Sequence, residues 1–243
     1  MDISHSLERM ARKFSRRIAL DDSDREALFG LPFHTKMVEA GRYLVREGSP
    51  TEESALLLSG FAVRHKLTAD GDRQIVSVHI PGDFVDLEGA LLKVADHNVQ
   101  TLTRCEVATV AATRIIELID SHPRVGRAMW MDTLVDGSIY REWVMNVGRR
   151  TAKQRLAHLF CEFAKRLELA GLGDTHGYHL PMTQEQLADA TGLTPVHVNR
   201  TLRTLEADGL IIRNKRSVGI PDWERLRDTS GFNELYLHLD LAA

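Results

Sequence analysis

One stretch constrains the fold more than any other: Thr183–Leu210, which reads TQEQLADATGLTPVHVNRTLRTLEADGL. It holds two helix starts separated by one glycine. Thr183 suits an N-cap, with Gln186 three residues on to complete a capping box. Leu187 and Ala190 give a short first helix its inner face. Gly192 can take the positive φ of a tight turn. Thr194 is a second N-cap, and Pro195 fits the first helical position, where its missing N–H costs nothing. Gly209 ends the second helix.

The second helix has two unlike faces. Val198, Leu202 and Leu205 recur at helical spacing and should pack inward, while Val196, Asn199, Arg200 and Arg203 lie on the other side. Such a pair is either a surface hairpin with solvated charges or a helix–turn–helix, whose second helix enters the major groove. Arg and Asn are the side chains that bridge guanine and adenine edges bidentately. The residues that follow, LIIRNKRSVGI, read as two short strands around Arg213, Lys215 and Arg216, a basic hairpin able to contact phosphates. That hairpin favours DNA. The expected contact set is Thr183, Thr194, Pro195, Val196, His197, Asn199, Arg200, Arg203, Arg213, Lys215 and Arg216.

Charge distribution agrees. Residues 1–148 hold 18 Lys and Arg against 22 Asp and Glu, whereas Arg200–Arg216 holds five basic residues and two acidic ones. A mildly acidic chain with one basic patch fits anion binding at a defined place. The N-terminal MDISHSLERMARKF has no apolar run of the signal-peptide kind, and no segment is apolar enough to span a membrane. Cys105 and Cys161 are too few and too far apart for a disulfide framework, so a reducing cytoplasm is the plain reading.

The 243 residues accommodate one large or two modest domains. Residues 1–30 look helical, with Asp21 or Ser23 as a cap. From about His34 the period changes to two: YLVREG, SALLLSG, FAVRHKL, QIVSVHI, NVQTLT and CEVATVAA are short strands separated by turn signals. This spacing indicates an antiparallel sandwich or roll, with a hairpin at Asp70–Gly71. After Thr113 the pattern is helical again, and Arg124–Arg149 is one long helix. Its apolar stripe of Met131, Leu134, Val135, Ile139, Trp143 and Val147 is either core or the seam of a dimer with a second copy. THGYHLPM is a short strand or loop.

In this order, a β-roll, a long helix and a winged helix–turn–helix resemble the Crp/Fnr transcription regulators over nearly the whole chain. The likeness is carried by PGDFVDLEGALL, CEVATV and LADATGLTPVHVNRTLRTLEADGLI. It implies an α+β fold: an N-terminal antiparallel β-roll of the cyclic-nucleotide-binding, jelly-roll kind over residues 1–120, a dimerisation helix over 121–148 and a winged helix–turn–helix over 149–243. It also implies a homodimer on a palindromic double-stranded DNA operator, with RNA polymerase as a partner if the protein activates. The effector pocket it implies lies at Asp86, Leu87, Glu88, Gly89, Asp96, His97 and Asn98.

Cyclic-AMP-binding members carry Gly-Glu after the Pro-Gly-Asp turn and Arg-Ser or Arg-Thr before the CEV strand. This chain has Asp86–Leu87 and Ala95–Asp96 there. Neither replacement neutralises a phosphate, so the effector is expected to be something else, or absent, and no cofactor is assigned. The iron–sulfur branch needs N-terminal cysteines, and residues 1–104 contain none. In the recognition helix the family's Arg-Glu-x-x-x-Arg becomes Pro195-Val196-x-x-x-Arg200. Arg200 matches the arginine that reads guanine; Val196 replaces the glutamate that accepts from cytosine, which implies an altered half-site.

Two other readings stand beside this one: a cupin-like metal-binding enzyme, and a scaffold that binds protein through the long helix. His65, His79 and His97 are isolated, with no His-x-His pair, no zinc spacing and no nucleophile or phosphate-loop motif. No metal site and no catalytic residue is therefore expected.

Overall fold

The structure, a computed structural model, describes residues 3–239. The outermost residues of the two expected domains, 1–2 and 240–243, lie outside the described residues. In chain order the elements are α1 (Ile3–Ser15), α2 (Asp22–Phe29), β1 (His34–Val38), β2 (Tyr43–Val45), β3 (Glu53–Ser59), β4 (Ala62–Leu67), β5 (Arg73–His79), β6 (Phe84–Val85) and α3 (Gly89–Leu92). Then come β7 (Asn98–Thr101), β8 (Cys105–Ala111), α4 (Ala112–Ser121), α5 (Pro123–Arg149), α6 (Ala152–Leu169), β9 (Gly177–His179), α7 (Gln184–Thr191) and α8 (Pro195–Ala207). The chain closes with β10 (Ile212–Asn214), β11 (Ser217–Gly219), α9 (Trp223–Ser230) and a 3₁₀ turn, Glu234–Leu237.

The chain divides into two compact units. One comprises the chain up to Lys66, Ser77–Ser138 and the end from Leu237; the other comprises Leu67–Val76 and Ile139–Tyr236. The strands of the roll form two four-stranded sheets, ordered β1-β8-β3-β6 and β2-β7-β4-β5. Their pairings are antiparallel, with Leu56 opposite Ala108 and Leu57 opposite Val107. The run Leu56–Leu57–Leu58 is wholly buried because both faces of its sheet are covered. Leu56 and Leu58 join Met10 and Phe14 of α1 and Met129 of α5, while Leu57 joins Cys105 and Val107. At Asp70–Gly71 the connection is a five-residue loop between Leu67 and Arg73, longer than a two-residue turn, with Gly71 at φ +90°.

Asp21 caps α2 through a reciprocal box with Asp24. Inside the first unit, Lys13 of α1 reaches Asp83 at 2.8 Å and Asp132 of α5 at 3.0 Å, and Arg17 reaches Asp132 at 2.9 Å. Burial pushes the neighbouring Asp136 carboxyl up to about 6, with the Asp132 charge adding to the effect and Lys13 opposing it.

The long helix runs as expected, and of the two roles open to its stripe most of it takes the core one. Val135, Ile139 and Trp143 are buried within the chain itself, Met131 and Val147 are half-buried, and only Leu134 of the expected stripe is exposed. The apolar face left to solvent is Trp130, Leu134, Val144 and Met145. At 3.6 residues per turn these fall on one side of the helix, opposite Ile139. Both sides of α5 carry apolar residues, so periodicity alone did not separate its core side from its free side.

In the second unit α6, capped by Thr151 and Gln154, packs against α8 and α9. Its buried Glu162 accepts from Trp143 Nε1 through both oxygens, at 3.1 and 3.0 Å, and from the Tyr236 hydroxyl at 2.8 Å. Next to it, His158 lies 3.1 Å from Glu142, which also binds Arg150 at 2.6 Å. Arg73 of β5 belongs to this unit and pairs with Asp189 of α7 at 2.7 Å. No described helix is long and apolar enough to cross a membrane.

Candidate nucleic-acid interface

The helix pair forms through local capping. Thr183 accepts from the Gln186 amide at 3.2 Å while its own amide donates to Gln186 Oε1 at 2.8 Å, satisfying two otherwise orphaned donors of α7. α7 ends at Gly192, in the left-handed region at φ +62°. A Cβ there would also stand 2.9 Å from Val147 Cγ1, so this turn needs glycine on two counts. Thr194 caps α8 by accepting from the His197 amide at 3.2 Å, and Pro195 opens the helix. Val198, Leu202 and Leu205 are buried beneath α8.

The opposite face of α8 is turned to solvent. Pro195, Val196, Arg200 and Arg203 are exposed, and with Asn199 they line one open depression beside Gln184. Thr183 and Thr194 are exposed at their caps, and His197 is half-buried. Asn199 is less free than its position suggests, because its Nδ2 donates to Gln184 Oε1 at 3.0 Å. Gln184, the first residue of α7, was not singled out from the sequence. Its place one residue after the Thr183 cap was the available signal.

The basic hairpin is β10 and β11, paired with β9 into a three-stranded sheet. Asn214 opposes Ser217, so Lys215 and Arg216 form the tip, with Lys215 at φ +53°. Both tip residues are exposed, and together with Arg213 and Thr183 they line a second cavity. Arg213 is engaged: its Nη2 lies 2.6 Å from Glu206 Oε2 on α8, and this bond holds the Glu206 carboxyl below its usual range. The ion pair ties the hairpin to the helix and leaves Lys215, Arg216, Arg200 and Arg203 as the outward cations. Glu206 carried no signal in sequence, lying on a helix whose other charges face out.

The roll gathers part of the expected effector pocket. Asp86, Glu88 and His97 place ligand-type atoms within 4.8 Å of one another. Asp86 is only 2% exposed and takes a left-handed backbone, φ +59°. Its carboxylate lies on Gly89, where an added Cβ would stand 2.6 Å from Oδ2. Burial, then the Glu88 charge, pushes the Asp86 carboxyl up to about 7. His97 is 5% exposed; its Nδ1 lies 2.8 Å from the Asp96 carboxylate. That bond is the largest cause holding Asp96 below its usual range, and burial lowers His97. A neutral His97 therefore donates from Nδ1 to an ionised carboxylate, and its Nε2 is a bare acceptor.

The remaining pocket residues point elsewhere. Asn98 accepts from the Glu47 amide at 3.1 Å, and Leu87 lines a 480 Å³ apolar cavity with Leu91, Leu92 and Trp130. Sequence reasoning missed Arg64, which is buried on β4 and lies 2.7 Å from Glu88. His65 and His79 are buried in the roll, His65 with its ring 5.9 Å from that of Tyr43. Both thiols are buried; Cys161 is pushed up to about 12 by burial, which disposes of it as a reactive thiol.

A two-sheet roll, a long helix with a free apolar face, and a winged helix–turn–helix with an outward basic face define a DNA-binding transcription regulator. Two domain families match the chain: the Crp-like helix-turn-helix domain over residues 154–229 and the cyclic nucleotide-binding domain over 35–122. The chain is 30% identical over 213 residues to the probable transcriptional regulator flp of Lacticaseibacillus casei, covering 86% of this chain and 92% of the relative. It is 29% identical over 214 residues to the transcriptional activator protein FnrL of Cereibacter sphaeroides, covering 86% of each. Among solved structures, FixK2 from Bradyrhizobium japonicum shares its fold with a TM-score of 0.77 and 24% identity, covering 84% of this chain and all of that one. The chain belongs to the Crp/Fnr family of transcriptional regulators.

Proposed function

We propose that the protein works as a homodimer whose two α8 helices read a palindromic operator. The observation that carries this reading is the solvent-facing set Val196, Arg200 and Arg203 on α8 beside Lys215 and Arg216 at the hairpin tip. Arg200, in the first half of the helix, is the guanine reader; its fork matches the two acceptors of the guanine edge. Val196, 81% exposed, can meet a thymine methyl or exclude another base, but it accepts nothing from cytosine. Arg203, Lys215 and Arg216 serve phosphates, and so do the helix ends at Thr183 and Thr194. Asn199 reads a base only by giving up or sharing its bond to Gln184.

The homodimer is supported by the free apolar face of α5. Trp130, Leu134, Val144 and Met145 would leave an unusual apolar surface on a monomer, and a second α5 buries it. Two recognition helices then meet grooves ~34 Å apart. The residues in the roll speak against a cyclic-AMP effector: a nucleotide phosphate would face Asp86 and Glu88, and Arg64 is already paired to Glu88. A relative named as an activator supports contact with RNA polymerase, and such work fits a cytoplasmic protein.

Selection of bound duplexes from a random pool tests the reading. The expected product is an inverted repeat with half-sites one helical turn apart. Arg200→Ala should lose ~1–3 kcal/mol at a single base position of each half-site. An Arg200→Ala protein with unchanged affinity and base preference removes Arg200 from this role.

A further inference from the structure

We propose that Asp86, Glu88 and His97 form a binding site for one first-row divalent metal ion inside the roll. Two acceptor atoms carry the inference. His97 Nε2 and Asp86 Oδ1 face each other at 3.7 Å, beyond hydrogen-bonding distance. Neither has a hydrogen-bond partner among the described residues, and both side chains are more than nine-tenths buried. Buried polar atoms are normally satisfied, and two acceptors aimed at one point call for a cation between them. Glu88 supplies the third ligand atom within the same 4.8 Å.

The surroundings fit a metal in a second respect. His97 is oriented by Asp96 at 2.8 Å through the ring nitrogen that would not touch the ion. A carboxylate behind a ligating imidazole fixes the tautomer and raises the ligand's basicity. One nitrogen and two carboxylates suit Zn²⁺, Mn²⁺ or Fe²⁺; all-oxygen ions and thiolate-seeking ions fit less well. Arg64 holds Glu88 from one side at 2.7 Å. A carboxylate has a second oxygen, so Glu88 can keep Arg64 and still bind an ion. Glu88 also lines the apolar cavity that Trp130 of α5 borders, which puts an ion here next to the long helix. Ligands drawn from two separate segments leave no spacing motif to recognise.

The test uses the full-length protein stripped of metal with a chelator. It is titrated with Zn²⁺ by calorimetry and with Mn²⁺ by electron paramagnetic resonance, without DNA, so the outcome is independent of the operator reading. One ion per chain is expected. His97→Ala should weaken binding at least tenfold, and Asp96→Asn by ~10–100-fold. The Asp96 side chain is 88% exposed, so that variant should fold whatever becomes of His97→Ala. No stoichiometric ion, or wild-type affinity in the folded variants, overturns the site.

Discussion

Single residues here act through the water they are denied. Asp136 sits with Asp132, Lys13, Arg64 and Asp83 close enough to influence its charge, and burial outweighs the cations. Its carboxyl titrates at about 6 in the folded chain against an ordinary 3.8. Between those values the folded protein holds a proton that the unfolded chain has lost. Stability therefore falls as pH rises through that window. Asp136→Asn has no such proton. Urea unfolding of both proteins across the window should show the wild type losing ground to the variant toward neutral pH; parallel curves would mean that Asp136 ionises normally.

Elements show most plainly what was legible in the sequence. The α7–α8 pair was readable because its determinants are local: each helix carries its own threonine cap, and Gly192 supplies the one backbone angle other residues avoid. Thr194→Ala should accordingly cost ~1 kcal/mol of stability in thermal unfolding while leaving the fold unchanged. The strands named from alternation recur as β2 to β5, β7 and β8. The two-residue β6 and four-residue α3 are too short to carry a period. Which α5 residues are core and which are free is not legible, because apolar residues line both its sides and only tertiary packing chooses between them. The Asp86–His97 cluster is half legible: the family resemblance points to its segment, but Arg64, twenty-odd residues earlier, has no local sign. For α5 the structure leads to a definite expectation. Leu134→Asp together with Val144→Asp should shift the protein to monomer in sedimentation and weaken operator binding in parallel; a dimer unchanged by both charges would place the interface elsewhere.

For the molecule as a whole, cations matter in pairs. On the proposed reading each residue at the hairpin tip meets DNA twice in a symmetric complex, so removing Lys215 would delete two phosphate contacts. Lys215→Ala should flatten the plot of log affinity against log salt by ~1.8, at ~0.9 per phosphate, equally for all sequences. Arg200→Ala should do the reverse, changing base preference more than salt slope. A different consequence attaches to Glu162, whose buried carboxylate takes one of its donors from Tyr236, near the end of the described chain. A nonsense codon just before Tyr236 would spare every side chain of the proposed DNA-contact set. It would still strip a donor from a buried carboxylate, so a genetic screen for inactive alleles should recover early stops outside the proposed contact set.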